Sequence, residues 1–186
     1  MIEDEKIIEM FFERSEQGIR ELDIKYGKVC HKLSYNIVNS RQDAEECVND
    51  AYLGTWNAIP PQRPAPLLSF VCVLVRRYSI MRYRANTAMK RNSSYDACME
   101  EIENCIAAPG RVEDHYEAKV LARTIERFLD TLNRENRVIF MRRYWYSDSY
   151  AAIAALTGLT EKNVSVRLAR VRKQLRDYLM KQGVLT

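Results

Sequence analysis

The apolar residues of this chain follow a helical period almost from end to end. In each segment they recur every three or four residues, as on one face of an amphipathic helix. The pattern is broken by a proline-rich run at 60–66, an acidic segment at 92–117 and a turn at 157–159. Only six glycines and five prolines occur in 186 residues. The sequence therefore predicts an all-α fold and disfavours a β-sandwich or barrel.

Four helices are predicted over residues 1–91. A short first helix precedes a longer second one, and a third begins after Ser40 and must end at Pro60. The fourth places six apolar residues on one face: Leu67, Phe70, Val71, Leu74, Tyr78 and Met81. It then turns basic, with no acidic neighbour in the sequence, at Arg76, Arg77, Arg82, Arg84, Lys90 and Arg91. This uncompensated charge favours contact with nucleic-acid phosphates over a solubilising role.

The helical pattern lapses between Asn92 and Glu117, where seven acidic residues accompany a single arginine. Pro109 and Gly110 lie in the same segment. An acidic composition with few apolar residues favours a flexible chain over a packed one. We therefore predict two helical domains, 1–91 and 113–186, joined by a flexible acidic linker over 92–112.

The C-terminal end carries a helix-turn-helix pattern. A short helix from Ser149 to Leu156 turns Ile153 and Leu156 inward, Gly158 supplies the positive φ of the turn, and Thr160 can cap the next helix. That helix buries Val164, Leu168, Val171 and Leu175. Its solvent side presents Lys162, Ser165, Val166, Arg170, Lys173 and Arg176, with Arg167 and Arg172 on the flanks. A rigid basic helix face fits a DNA major groove.

Charge and motif content narrow the classes of function. The chain has 29 Lys and Arg against 25 Asp and Glu, so its net charge of +4 decides nothing by itself. The acidic start and the lack of a long apolar run predict a cytoplasmic protein.

No nucleotide-binding, metalloprotease or serine-hydrolase motif occurs, so no catalytic residue, metal or cofactor is expected. The five cysteines form no CxxC pair and are predicted to be free buried thiols.

Two longer motifs stand in a characteristic order. DAEECVNDAYLGTW, from Asp43 to Trp56, has an acidic start, an apolar middle and an aromatic end. SYAAIA from Ser149 is followed by TGLTEKNVSVRLARVRKQL from Thr157 to Leu175. With the basic helix and acidic segment between them, these motifs resemble a bacterial RNA polymerase sigma factor of the short extracytoplasmic-function (ECF) type. In that family the first motif binds core polymerase and the second reads the promoter.

The resemblance implies three sets of binding residues and no catalytic ones. Core RNA polymerase, through the clamp of its large subunit, is expected to contact Asp43, Glu46, Asn49, Asp50 and Trp56. The minus-10 promoter element is expected to contact Arg76, Arg77, Tyr78, Arg82 and Arg84. The minus-35 element is expected to contact Thr160, Lys162, Asn163, Ser165, Val166, Arg167, Arg170, Arg172 and Lys173. An anti-sigma factor is a further expected partner, and a small-molecule substrate is not expected.

Plainer interpretations stay open for some of these residues and for the whole chain. Tyr78 is either a base-stacking residue or part of the core, Trp56 fits a core position, and Tyr144, Trp145 and Tyr146 fit packing positions. The alternative function is a one-component helix-turn-helix repressor, which would bind a palindromic site as a dimer without polymerase. A nucleic-acid-processing enzyme is disfavoured, because no convergent metal or acid–base set is present.

Overall fold

The computed structural model describes residues 2–86, 94–106 and 115–185, and within these ranges the chain is all-α, as predicted. The helices divide into two compact units, with the boundary in the sequence between Ser94 and Tyr95. The N-terminal unit contains α1 (Asp4–Phe12), α2 (Gln17–Val38), α3 (Arg41–Ala58) and α4 (Leu67–Asn86). The C-terminal unit contains α5 (Ser94–Ile106), α6 (His115–Thr131), α7 (Arg134–Tyr144), α8 (Tyr150–Thr157) and α9 (Glu161–Lys181).

Local signals in the sequence set the ends of the helices in the N-terminal unit. The Ser40 hydroxyl accepts a hydrogen bond from the Asp43 N–H at 3.3 Å, which caps α3. Asn39, with a φ of 53°, ends α2 in the left-handed conformation. α3 stops at Ala58, before Pro60, because proline cannot supply a helix N–H. The predicted start and end of the third helix are thus confirmed.

The core of the N-terminal unit lies where α2, α3 and α4 pack against one another. Leu22 and Leu33 of α2, Val48 of α3 and Val71 of α4 are each at most 1% exposed. α1 packs on α2 and adds the buried ring of Phe11. Burying side chains of this size stabilises a fold by about 1.5–3 kcal/mol each. Apolar packing therefore accounts for most of the cohesion of this unit.

The few polar groups in this core are small. The Ser79 hydroxyl donates to the Ser34 hydroxyl at 2.7 Å, and both residues are fully buried, so α2 and α4 are joined by a satisfied hydrogen bond. All five cysteines are free and buried, as predicted. Burial raises the pKa of the Cys47 thiol, which keeps it protonated and unreactive. These groups are structural.

The C-terminal unit has two adjoining apolar clusters. The first joins α5, α6, α7 and α9 through Cys105, Phe128, Phe140, Leu175 and Leu179, all at most 9% exposed. The second fills the helix-turn-helix and comprises Ile139, Ile153, Ala154, Val164 and Leu168. α9 contributes to both clusters, so it is the central element of the unit.

The structure overturns the prediction of a flexible linker for residues 94–106, which form α5. Cys98 and Cys105 of this helix are 2% and 9% exposed, and Ile102 packs against the first apolar cluster. Their spacing makes an apolar stripe that the surrounding acids obscured in the sequence. The rest of the proposed linker, together with Lys90 and Arg91, lies outside the described residues.

Two residues predicted to point inward are exposed instead. Met81 is 59% exposed, since no residue of α4 after Ser79 is buried. Leu156 is 58% exposed, because the buried side of α8 is the one that carries Ile153 and Ala154. An i, i+3 spacing alone did not define the buried arc of these helices.

Candidate functional site

Three acidic residues of α3, Asp43, Glu46 and Asp50, lie on one side of that helix. Asn49 and Asp50 are exposed, whereas Asp43 and Glu46 are half-buried. The half-buried pair is contacted from α4: Arg82 Nη2 lies 2.5 Å from Glu46 Oε2, and Arg82 Nη1 lies 3.6 Å from Asp43 Oδ1. The five residues predicted to bind polymerase all lie on α3, and two of them, Asp43 and Glu46, form ion pairs within the chain.

The Arg82 contacts correct one part of the sequence interpretation. The basic half of α4 has no acidic neighbour in the sequence and is predicted to carry uncompensated charge, but Arg82 is neutralised by two carboxylates of α3. The sequence could not indicate this, since Arg82 and Glu46 are 36 positions apart. Arg82 is therefore already paired with carboxylates of its own chain, so its charge is less available to DNA phosphates.

Other members of the α4 set are placed differently. Arg77 and Arg84 are exposed, and Arg76 is half-buried. The Arg77 guanidinium lies 5.0 Å from the centre of the Tyr78 ring. Tyr78 packs against α3, where a Cβ added at Gly54 would lie 3.2 Å from its hydroxyl. The half-buried Tyr78 ring thus belongs to the α3–α4 contact, which supports the packing interpretation over base stacking.

Trp56 lies at the end of α3 and is half-buried instead of fully in the core. Its ring meets Phe11 edge-on, with centroids 6.0 Å apart, and Arg14 lies over it at 5.4 Å. The exposed edge joins Leu53, which is 58% exposed, along a shallow groove. Trp56 therefore has one structural face and one accessible face.

Three side-chain and backbone features build the helix-turn-helix. Ser149 caps α8 by accepting from the Ala152 N–H at 3.2 Å, and Thr160 caps α9 by accepting from the Asn163 N–H at 3.2 Å. Between them, Gly158 has a φ of 71°, a conformation that favours glycine. The predicted turn chemistry is confirmed, and it fixes the direction of α9 relative to α8.

The phasing of α9 follows the prediction for most residues. Val164, Leu168, Val171 and Leu175 are at most 2% exposed. The predicted DNA-facing residues that are exposed are Thr160, Lys162, Asn163, Val166, Arg170 and Lys173. Ser165 and Arg167 are half-buried on opposite flanks, and Arg167 is paired with Glu135 of α7. One face of α9 thus presents a short polar start followed by cations.

Arg172 departs from the predicted DNA-facing set. Its Nη1 donates to Glu101 of α5 at 3.0 Å and to the Tyr144 hydroxyl at 2.7 Å. Its side chain is 21% exposed, because it lies on the flank of α9 that α5 covers. Arg172 therefore holds α5 to α9, and its assignment as a DNA contact stays a prediction.

Glu101 is the centre of that contact, and sequence reasoning did not single it out. Arg143 makes two hydrogen bonds to its carboxylate, at 2.5 and 3.2 Å, and the hydroxyls of Tyr144 and Tyr150 donate at 3.0 and 2.8 Å. Burial alone would raise the pKa of the Glu101 carboxyl, but the bonds from Arg143 and Tyr150 reverse this, so its pKa lies below the ordinary value. Tyr144 thus packs inside the unit, as predicted. Nothing distinguished Glu101 from its six acidic neighbours in the sequence.

The comparisons with known proteins divide the chain in the same way as its contacts do. The family pattern of Sigma-70 region 2 matches residues 24–89, and that of Sigma-70, region 4 matches residues 122–175. Together these ranges make up more than half of the chain. The first contains α3, α4 and about two thirds of α2, and the second contains α7, α8 and most of α9.

Two individual proteins are also similar to this chain. The ECF RNA polymerase sigma factor SigE of Mycolicibacterium smegmatis is 22% identical over 163 residues, which are 88% of this chain and 62% of SigE. The chain thus spans less than two thirds of that relative. A solved structure of CnrH in complex with the cytosolic domain of CnrY aligns with 96% of this chain and 97% of its own, at 18% identity and a TM-score of 0.41. In the described part of this chain, no helix is both long and apolar enough to cross a membrane.

Proposed function

The chain belongs to the sigma-70 family of transcription initiation factors, as an ECF-type member with regions 2 and 4, and we propose that it directs core RNA polymerase to promoters with specific minus-10 and minus-35 elements. Sigma factors are not enzymes, so the proposal assigns no reaction to the chain. It assigns two DNA-contacting surfaces and one surface for polymerase.

The observation that carries this proposal is the exposed face of α9. The helix is capped at Thr160, oriented by Gly158 and anchored by four buried residues, so its outer face is rigid. That face presents Lys162, Arg170 and Lys173 to solvent. Cations on a rigid helix that fits the major groove are suited to minus-35 DNA, with residues near the helix start on base edges and later ones on phosphates.

We place the polymerase contact on α3 and the minus-10 contact on α4. The exposed Asn49, Asp50 and the accessible edge of Trp56 supply a charged rim beside an aromatic anchor, as protein interfaces use. On α4 the exposed Arg77 and Arg84 are suited to phosphates of the opening duplex. Each surface alone is small, so tight binding depends on polymerase holding both DNA contacts at the right separation. An anti-sigma partner stays a prediction.

Run-off transcription with purified core polymerase and a library of genomic promoter fragments tests the proposal. We expect transcripts from a subset of fragments only when the chain is added, and those start sites should share two upstream elements. Tight binding of the chain alone to a palindromic duplex, with no effect on polymerase, would contradict the proposal and support the repressor alternative.

The docking assignment has its own test, with a matched control in the same unit. Asp50→Lys places a cation on the proposed polymerase surface, whereas Glu5→Lys makes the same charge change at an exposed position of α1. We expect Asp50→Lys alone to weaken capture of core polymerase. Equal capture by both variants would show that polymerase binds elsewhere.

A further inference from the structure

An acidic residue of α7 contacts one flank of α9, beside the exposed face of that helix. Glu135 lies in the first turn of α7, and its carboxylate binds the guanidinium of Arg167. The side chains of Glu135 and Arg167 are 54% and 34% exposed. The ion pair is therefore accessible to a ligand that lies along α9.

The pair forms one wall of a polar groove between α7 and α9. The groove is lined by Asn133, Glu135, Asn136, Arg167, Arg170, Val171 and Gln174. Glu135 is the single carboxylate among these lining residues. Since a carboxylate repels DNA phosphates, its presence beside two arginines weakens non-specific binding.

Glu135 is itself held in a fixed place. The Asn133 side chain accepts a hydrogen bond from the Asn136 N–H at 2.9 Å and so caps α7 immediately before Glu135. α7 is anchored by Ile139 and Phe140, which are 1% and 5% exposed. The carboxylate therefore projects from a rigid helix end toward α9, and it can fix the position of a more flexible partner.

The partner of Glu135 is Arg167, and an arginine can read a base only when its guanidinium is correctly oriented. A guanidinium reads guanine by donating two parallel hydrogen bonds, which requires its plane to be aligned with the base edge. Arginine has a long side chain with about 2 kcal/mol of rotamer entropy, so an unrestrained side chain loses part of its selectivity. It also has five N–H donors, so a bond to Glu135 leaves others available.

We propose that Glu135 is a positioning residue that sets the minus-35 preference of the chain by orienting Arg167. The inference rests on the proposed function of α9 and extends it to a residue of α7. Glu135 does not touch a base in this scheme. It decides which way the Arg167 guanidinium faces.

The experiment uses the full chain with core polymerase and a promoter library randomised at the minus-35 element. Arg167→Ala is expected to reduce the preference at one base pair by about fivefold or more. Glu135→Ala is expected to reduce the preference at the same base pair by about threefold, and the double variant should be no worse than Arg167→Ala. Glu135→Asp keeps the charge at the helix start but is one methylene shorter, so it should also lose preference.

Asp177→Ala is the matched control, because it removes an exposed negative charge from the later part of α9, where the proposed contacts are to phosphates. It should raise binding to all sequences alike and leave the preference unchanged. If Glu135→Ala behaves in the same way, Glu135 acts only through its charge and the inference is overturned. If Arg167→Ala alters the preference and neither Glu135 variant does, the inference fails while the proposed function stands. A parent chain with no minus-35 preference would instead overturn the proposed function.

Discussion

The two units of this chain are held together in different ways. In the N-terminal unit the buried polar residues are hydroxyl-bearing: Ser34, Thr55 and Ser79. In the C-terminal unit they include Arg143, which is 5% exposed, and Asp148, which is 1% exposed. The first unit therefore depends on apolar packing together with the partly buried ion pair of Lys25 and Asp4, whereas the second unit buries charged side chains more deeply.

The ion pairs of the C-terminal unit have a particular task. The network around Glu101 joins α5 to α7 and α9, while the apolar contribution of α5 is limited to a short stripe. A buried ion pair adds little net stability over an apolar contact, but losing one partner leaves the other charge desolvated. Removing one of these side chains therefore destabilises the N-terminal unit by leaving a cavity, and it destabilises the C-terminal unit by leaving a charge without its partner.

The largest expected effect is that of Glu101→Ala. It removes the carboxylate shared by Arg143 and Arg172, and leaving Arg143 buried without its partner should lower the free energy of unfolding of the C-terminal unit by about 3–5 kcal/mol. Urea unfolding followed by far-UV circular dichroism should show the C-terminal transition shifted to lower denaturant. The transition of the N-terminal unit should not move.

Acid titration provides the check on this first prediction. Because the pKa of Glu101 in the folded chain lies below its ordinary value of 4.5, its contribution to stability is present above that pH and is lost as the pH falls through the folded pKa. Glu101→Ala should flatten this acid dependence. Glu103→Ala, at an exposed position of the same helix, should leave both stability and acid dependence unchanged; an equal loss in the two variants would contradict the network.

A core truncation in the N-terminal unit should have a slightly smaller effect. Leu33 is 1% exposed, so Leu33→Ala creates a cavity and should cost about 3 kcal/mol. Since no charge is involved, the loss should be the same at pH 5 and pH 8. Leu53→Ala, at a position 58% exposed, is the control and should change the free energy of unfolding by less than about 1 kcal/mol.

Arg172 and Lys173 are neighbours on α9, so they allow a structural cation and a proposed DNA-binding cation to be compared within one helix. Arg172→Ala should lower the stability of the C-terminal unit by about 1–3 kcal/mol, because it removes hydrogen bonds to Glu101 and Tyr144. Lys173→Ala removes an exposed charge, so it should leave stability unchanged and weaken holoenzyme binding to all promoters alike. Filter binding beside thermal unfolding would separate the two roles. The opposite pattern would support Arg172 as a DNA contact.

The smallest effect is expected for the accessible ion pair between α4 and α3 in the N-terminal unit. Arg82 and Glu46 have side chains 36% and 44% exposed, and a pair this accessible contributes about 0–1 kcal/mol. A double-mutant cycle of Arg82→Ala and Glu46→Ala measures it directly. A coupling energy above about 2 kcal/mol would show that pairing itself, instead of burial, governs the difference between the units.

The sequence by itself determined the helices other than α5, several of their ends and the phasing of α9. These features depend on near neighbours: Ser40 and Thr160 cap within three residues, Gly158 supplies its own backbone conformation, and Val164 to Leu175 repeat at the helical period. Physical effects over such short separations can be inferred without knowing the fold. The all-α class and the helix-turn-helix followed from them.

Only the tertiary structure decided which charges meet. Glu101 and Arg172 are 71 positions apart, and Arg82 and Glu46 are 36 apart, so neither pairing is visible in a local pattern. A charged side chain far along the chain can face DNA, solvent or an opposite charge, and the choice depends on which helix packs beside it. For that reason the acidic segment resembled a linker, whereas part of it is a helix held by its own carboxylate.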